Sequence, residues 1–153
     1  MAQWTKEEIQ AAFDDFQAAA YKGAQTQDWR DWADCFTDDA TYFEHHYGKF
    51  WGRENIFHWI TDTMAPWPVN AMTAFPISWY SIDVEKGWVF CEVMNRMEDL
   101  GDGQIYEEPN ISILHYAGNG LFSYEEDAYN PDNMGKMIGR WIAAKKKIDA
   151  DAS

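Results

Sequence analysis

Between residues 72 and 129 the chain reads as four runs of alternating apolar and polar residues, 72–83, 88–98, 105–116 and 121–129. Turn chemistry parts them: Glu85-Lys86-Gly87, Gly101-Asp102-Gly103 and Ala117-Gly118-Asn119-Gly120. A period of two lets each strand bury one face, and short glycine-bearing links join neighbours antiparallel. The pattern predicts a meander, and its apolar face needs helices to cover it. Thr5-Lys6-Glu7-Glu8 forms a capping box, and Ile9, Phe13, Phe16 and Ala20 follow at helical spacing, predicting a helix from 5 to about 22. A second helix is expected over about 28–36, with Trp29, Trp32 and Phe36 on one side. Ala40 to His46 reads as a strand, and Gly48 turns it into a partner, Lys49 to Trp51. Gly52-Arg53-Glu54 opens a helix carrying Ile56, Trp59, Ile60 and Met64, which stops before Pro66 and Pro68. Pro131 opens a last helix with Met134, Met137, Ile138 and Trp141 on one face. The order predicts an α+β fold, one domain over 1–153, with helices on one side of a strongly curved sheet.

Charge narrows the partners. Twelve Lys plus Arg against 26 Asp plus Glu give a net charge of −14, without the basic footprint that nucleic acid requires. Lys145, Lys146 and Lys147 read as the solvated end of the last helix. No apolar run approaches the roughly 20 residues that span a membrane. The opening MAQWTKEEIQ lacks the features of a secretory signal, so a cytoplasmic location is expected, with Cys35 and Cys91 as reduced core residues. The unusual feature is nine Trp, nine Phe and eight Tyr in 153 residues. Such a load fits either an aromatic-lined cavity or a Trp-rich core and oligomer interface. Trp29, Trp32, Trp59 and Trp141 fall on helix faces that could line or cap a cavity, whereas Trp67, Trp79 and Trp88 suit its rim or an interface.

Trp32-Ala33-Asp34-Cys35-Phe36-Thr37-Asp38-Asp39-Ala40-Thr41-Tyr42 resembles the start of the first strand in the nuclear transport factor two-like superfamily. Gly48-x-x-x-Gly52-Arg53-Glu54-x-Ile56 is similar to its strand turn and third helix. Glu44-His45-His46-Tyr47-Gly48 and Tyr124-Glu125-Glu126-Asp127-Ala128-Tyr129-Asn130-Pro131 resemble a SnoaL-like subgroup. The resemblance implies a cone-shaped fold whose concave sheet and helices enclose a pocket. It spans polyketide cyclases, ketosteroid isomerase, scytalone dehydratase, limonene epoxide hydrolase, the sphingomonad diarylpropane lyases and non-catalytic binding proteins. A homodimer or higher homo-oligomer through the outer sheet face is the family expectation.

Two segments carry the acid–base chemistry. In Tyr42-Phe43-Glu44-His45-His46-Tyr47, alternation puts Tyr42, Glu44 and His46 on one strand face and Phe43, His45 and Tyr47 on the other. Alignment with the general base of ketosteroid isomerase falls on Glu44 from the Asp38-Asp39-Ala40 side and on His45 from Gly48. The one-residue mismatch predicts a bulge. In Tyr124-Glu125-Glu126-Asp127, the SnoaL-like registration turns Glu125 and Asp127 inward with Tyr129, so that one carboxyl is expected to hold a proton beside an ionised neighbour. The alternative is a solvated edge strand, or Glu126 paired with Arg96. The same registration faces Asn95 inward with Cys91 and Val93, and Asn110 inward with Ser112, Leu114 and Tyr116. Arg96 is expected to neutralise Glu92 or Glu126, and Arg53 to be structural. Catalysis is therefore expected from Glu44, His45, Glu125 and Asp127, and substrate binding from Tyr42, His46, Trp59, Asn95, Asn110, Tyr116 and Tyr129.

No phosphate loop, nucleophile elbow or zinc-type cysteine spacing occurs, so neither metal nor cofactor is expected. The chemistry fits a cofactor-independent lyase acting on a small, hydrophobic aromatic substrate. In its sharpest form the lyase deformylates a lignin-derived diarylpropane diol to a stilbene with release of formaldehyde. A cyclase, dehydratase, isomerase or epoxide hydrolase, or a binding protein without catalysis, uses the same features differently.

Overall fold

A computed structural model describes residues Met1–Ser153. Four helices, α1 (Lys6–Thr26), α2 (Arg30–Ala33), α3 (Arg53–Met64) and α4 (Pro131–Asp151), pack against a sheet of seven strands. The strands are β1 (Phe36–Glu44), β2 (Gly48–Trp51), β3 (Met72–Ala74), β4 (Ile77–Asp83), β5 (Trp88–Met97), β6 (Glu107–Gly118) and β7 (Leu121–Ala128). The sheet runs β2-β1-β7-β6-β5-β3, and β4 also pairs with β5. All pairs are antiparallel except β1 with β7. The result is the α+β, curved mixed sheet that the patterning predicts.

Local chemistry accounts for the helix ends. Thr5 caps α1 by accepting the Glu8 amide at 3.1 Å, but the Glu8 carboxylate accepts the Tyr116 hydroxyl at 2.9 Å instead of closing the capping box. Asn130 caps α4 through the amides of Asp132 and Asn133, with Pro131 in the first turn. Gly52, at φ +89°, turns β2 into α3 and donates its amide to the Ala40 carbonyl at 2.7 Å. Arg53 is structural: its guanidinium donates to the Phe36 carbonyl at 2.8 Å and pairs with Asp38 at 2.8 Å.

Three boundaries depart from the sequence reading. The second helix shrinks to Arg30–Ala33, and β1 begins at Phe36. Thr37 to Ala40 bulge out between the Phe36–Phe122 and Thr41–Tyr124 pairs, leaving Asp38 and Asp39 exposed. The run 72–83 is two strands, because Phe75-Pro76 interrupts it and proline has no amide to give the ladder. Finally, β1 ends at Glu44, so His45, His46 and Tyr47 form the turn into β2 rather than a strand.

The core is mainly aromatic. Phe16 meets Trp32, Phe36 and Phe122 at ring-centroid distances of 5.7–5.9 Å. Trp141 is fully buried and donates its indole N–H to the Glu98 carbonyl at 3.0 Å, anchoring α4 to the end of β5 instead of lining the cavity. Trp67 and Trp79 are exposed, while Trp88 stacks on His115 at 4.1 Å on the outer sheet face. Cys35 and Cys91 are free thiols. No helix is long and apolar enough to cross a membrane.

Gly23 governs the approach of α1 to Trp29: a Cβ there would lie 2.4 Å from an indole carbon. Gly23→Ala is therefore expected to destabilise the fold by about 1–3 kcal/mol through overpacking, measured as a fall in urea midpoint with unchanged m.

Candidate active site

The side chains that face the helices from β1, β5, β6 and β7 line a cavity of about 230 Å³. Its walls are largely apolar, with Phe13, Phe16, Trp29, Trp32, Trp59 and Phe75 contributed by the helices and the β3–β4 link. The polar groups lie along the sheet. Parallel pairing of β1 with β7 aligns Tyr42 with Glu125 and Glu44 with Asp127. Pairing of β7 with β6 then brings Ser112 opposite Asp127.

These residues form a directed hydrogen-bond chain. Asn95 Nδ2 donates to Asn110 Oδ1 at 2.8 Å, Asn110 Nδ2 donates to Ser112 Oγ at 2.8 Å, and Ser112 Oγ donates to Asp127 Oδ1 at 2.6 Å. From the other side the Tyr42 hydroxyl donates to Asp127 Oδ2 and lies 3.2 Å from Glu125 Oε1. Donors thus converge on Asp127, as they should on an ionised carboxylate. Next to it, Glu125 is 4% exposed and its Oε2 has no partner. Burial first, and the Asp127 charge second, push the Glu125 carboxyl well above the ordinary glutamate range. Burial also raises Asp127, but its hydrogen bonds oppose that shift. Burial therefore favours the protonated form of Glu125 most strongly, while Asp127 keeps the donors that favour its carboxylate.

Glu44 forms a second station. Its Oε1 accepts the His46 amide at 2.7 Å and its Oε2 accepts the Tyr129 hydroxyl at 3.2 Å. Burial raises its carboxyl, with the His46 amide pulling the other way. Burial and the neighbouring Glu44 charge raise the Tyr129 phenol, keeping it a donor.

The structure gathers Tyr42, Glu44, Trp59, Asn95, Asn110, Glu125, Asp127 and Tyr129 around one cavity. Three expected site residues lie elsewhere. His45 turns outward, with Nε2 2.7 Å from Glu126 and its ring stacked on Phe43 at 4.2 Å. His46 gives the site its backbone amide, not its imidazole. Tyr116 is buried outside the cavity lining, and its hydroxyl donates to Glu8 and accepts the Gly120 amide. The expected bulge exists, but it precedes Thr41; from Thr41 to Glu44 the pairing runs in step, which selects Glu44 over His45. Arg96 pairs with Glu107 at 2.7 Å rather than with Glu92 or Glu126. Ser112, Tyr47 and Gln17 line the cavity without having been singled out as site residues from the sequence. Ser112 was findable as the hydroxyl next to Asn110 on the inward face of β6. The other two depend on a turn and on a helix rotation.

Residues 6–87 match the family model described as the SnoaL-like domain. This chain belongs to the SnoaL-like family. No curated protein matches it. Among solved structures, this SnoaL-like chain resembles a hypothetical protein with ketosteroid isomerase-like fold from Catenulispora acidiphila, in complex with trimethylamine. The two share 19% identity at TM-score 0.64, over 82% of this chain and 92% of that one. An M. tuberculosis LEH-like epoxide hydrolase is 15% identical at TM-score 0.63, over 90% and 94% of the two chains. TerC, co-crystallised with polyporic acid, is 12% identical at TM-score 0.61, over 86% and 98%. These likenesses establish the nuclear transport factor two-like fold of this SnoaL-like protein.

Because burial lifts the folded Glu125 above its unfolded value of about 4.3, its contribution to stability is complete below that pH. It is lost as pH rises towards the folded value. Glu125→Gln cannot ionise, so its Tm is expected to gain on wild type as pH rises above about 4. A Tm difference that stays flat across that range would mean Glu125 is not held protonated.

Proposed function

We propose that this protein is a cofactor-independent acid–base lyase acting on a hydrophobic substrate with two aromatic rings. The observation that carries the reading is the placement of Asp127, on which the donors converge, beside the buried Glu125, whose carboxyl burial pushes upward, inside an aromatic-walled cavity. A base beside an acid in a site shielded from water is what a stepwise elimination needs.

In the specific form, the substrate is a diarylpropane diol. Asp127 takes the proton of the terminal hydroxyl. The bond between that carbon and the ring-bearing carbon breaks, and its oxygen leaves as the carbonyl of formaldehyde. The electron pair becomes the new carbon–carbon double bond, and the benzylic hydroxyl departs as water with a proton from Glu125 by way of Tyr42. One proton is taken and one is given, so the pair ends with the same total. Glu44 and Tyr129 then serve to orient the diol, and Asn95, Asn110 and Ser112 hold Asp127 ionised. A cyclase or epoxide hydrolase would draw on the same carboxyls. The two-ring diol is preferred because aromatic walls continue on the helix side of the carboxyl pair.

Incubation with diarylpropane diols is expected to give stilbene absorbance and formaldehyde in equal amounts, undiminished by chelators. Asp127→Asn should lower kcat/KM by about 10²–10⁴-fold. The pH profile of kcat/KM should be bell-shaped. Its acid limb should lie above the usual aspartate range, and its alkaline limb should vanish in Glu125→Gln. Turnover that survives Asp127→Asn would overturn the roles, and absence of turnover across the diol series would overturn the substrate.

A further inference from the structure

The ionisable side chains lining the cavity are Glu44, Glu125, Asp127, Tyr42, Tyr47, Tyr129 and Cys91, all acids. No Lys, Arg or His reaches it. Against the carboxyls stands an aromatic corner: the Trp59 ring lies 4.8 Å from Tyr42 and 6.1 Å from Tyr47, backed by Phe50 stacked at 4.7 Å. Tyr42 belongs to both halves, since its hydroxyl binds Asp127 while its ring faces Trp59. The remaining unpaired acceptor is Glu125 Oε2, on a side chain that lines the cavity and is more than nine-tenths buried.

We propose that this cavity is a receptor for hydrophobic ammonium ions that carry an aromatic group, with quaternary nitrogen favoured over primary. Aromatic faces attract a cation through their quadrupole, and the attraction grows when the cation is desolvated. A trimethylammonium group is only weakly hydrated and brings no N–H to satisfy, so it can rest against this aromatic corner beside Asp127 and Glu44. The net charge of −14 adds attraction at long range. This binding needs no turnover and is independent of the diol chemistry.

Binding also moves a proton. Burial first, and then the closeness of Asp127, favour the protonated form of Glu125, and no cation lining the cavity opposes them. The titratable groups facing Glu125 and Asp127 are Tyr42 and Glu44 from β1, Cys91 from β5 and Tyr129 beyond β7. Strand β6 presents only Asn110, Ser112 and Leu114, and α1, α3 and α4 present Gln17, Thr63 and apolar side chains. His45 lies outside, on Glu126. An arriving ammonium ion supplies the missing charge and releases the proton.

The test compares (3-hydroxyphenyl)trimethylammonium with 3-tert-butylphenol, which have the same shape and differ in charge. Both are titrated into the full chain at about 0.15 M salt, where surface attraction is screened. Tryptophan quenching gives the affinity, and calorimetry in two buffers of different ionisation enthalpy counts protons. The ammonium ion is expected to bind about tenfold tighter than the phenol and to release part of a proton near neutral pH. Glu125→Gln should abolish the release and lower the preference. Asp127→Asn and Trp59→Leu should each lower the preference, with folding checked by circular dichroism. Equal or tighter binding of the phenol, binding of neither probe, or a preference unchanged in both Asp127→Asn and Trp59→Leu overturns the proposal. Ammonium binding without turnover of any diol would sink the diol as substrate and leave this proposal standing; turnover without ammonium preference would do the reverse.

Discussion

The site depends on one backbone feature, the parallel pairing of β1 with β7. The two strands lie far apart in sequence, and their register sets Tyr42 against Glu125 and Glu44 against Asp127 on a single sheet face. A slip of β1 by one residue would send Tyr42 and Glu44 to the face opposite Glu125 and Asp127, because side chains alternate along a strand. The shift is prevented at both ends. Phe36 is anchored opposite Phe122, with its carbonyl held by Arg53, and the His45 amide donates to the Asp127 carbonyl at 3.1 Å. The bulge between Thr37 and Ala40 absorbs the extra chain before the functional stretch begins.

Electrostatics follows from that register. Three carboxyl side chains share a cavity without a basic residue, so desolvation and mutual repulsion must be relieved by protonation and hydrogen bonds. The sheet supplies the hydrogen bonds: Ser112 and Tyr42 complete the shell of Asp127, while the His46 amide and Tyr129 complete that of Glu44. Glu125 receives the least, with one oxygen bare, and its carboxyl is the one that burial pushes furthest upward. Three acids of similar intrinsic strength are thereby set in different states by their neighbours.

Much of this was legible in the sequence, for physical reasons. Alternation along an unbroken strand correctly grouped Glu125, Asp127 and Tyr129, and separately Asn110 with Ser112, because parity survives any uncertainty in strand ends. It failed at His45 and His46, where the chain leaves the strand and parity no longer constrains direction. Tyr116 shows a subtler limit. Its parity was right, but the helix side chain Glu8 closes over it, and no pattern within β6 records what lies above. Trp29 and Trp32 were assigned to the cavity wall by helical spacing, whereas Trp141 needed the Glu98 carbonyl, a partner distant in sequence, to reveal its anchoring role. The split of the first long run at Pro76 was readable from proline alone.

The chain from Asn95 through Asn110 and Ser112 to Asp127 has a further consequence. Two of its members are carboxamides, which hold their N–H protons tightly at neutral pH and do not pass them along. The array is therefore a row of aligned dipoles, a fixed field that steadies negative charge at one end, and not a conduit. Proton exchange is left to the hydroxyls and carboxyls at its end, Ser112, Asp127, Tyr42 and Glu125. Cutting the row at either carboxamide would therefore weaken the field on Asp127 and leave every proton path open.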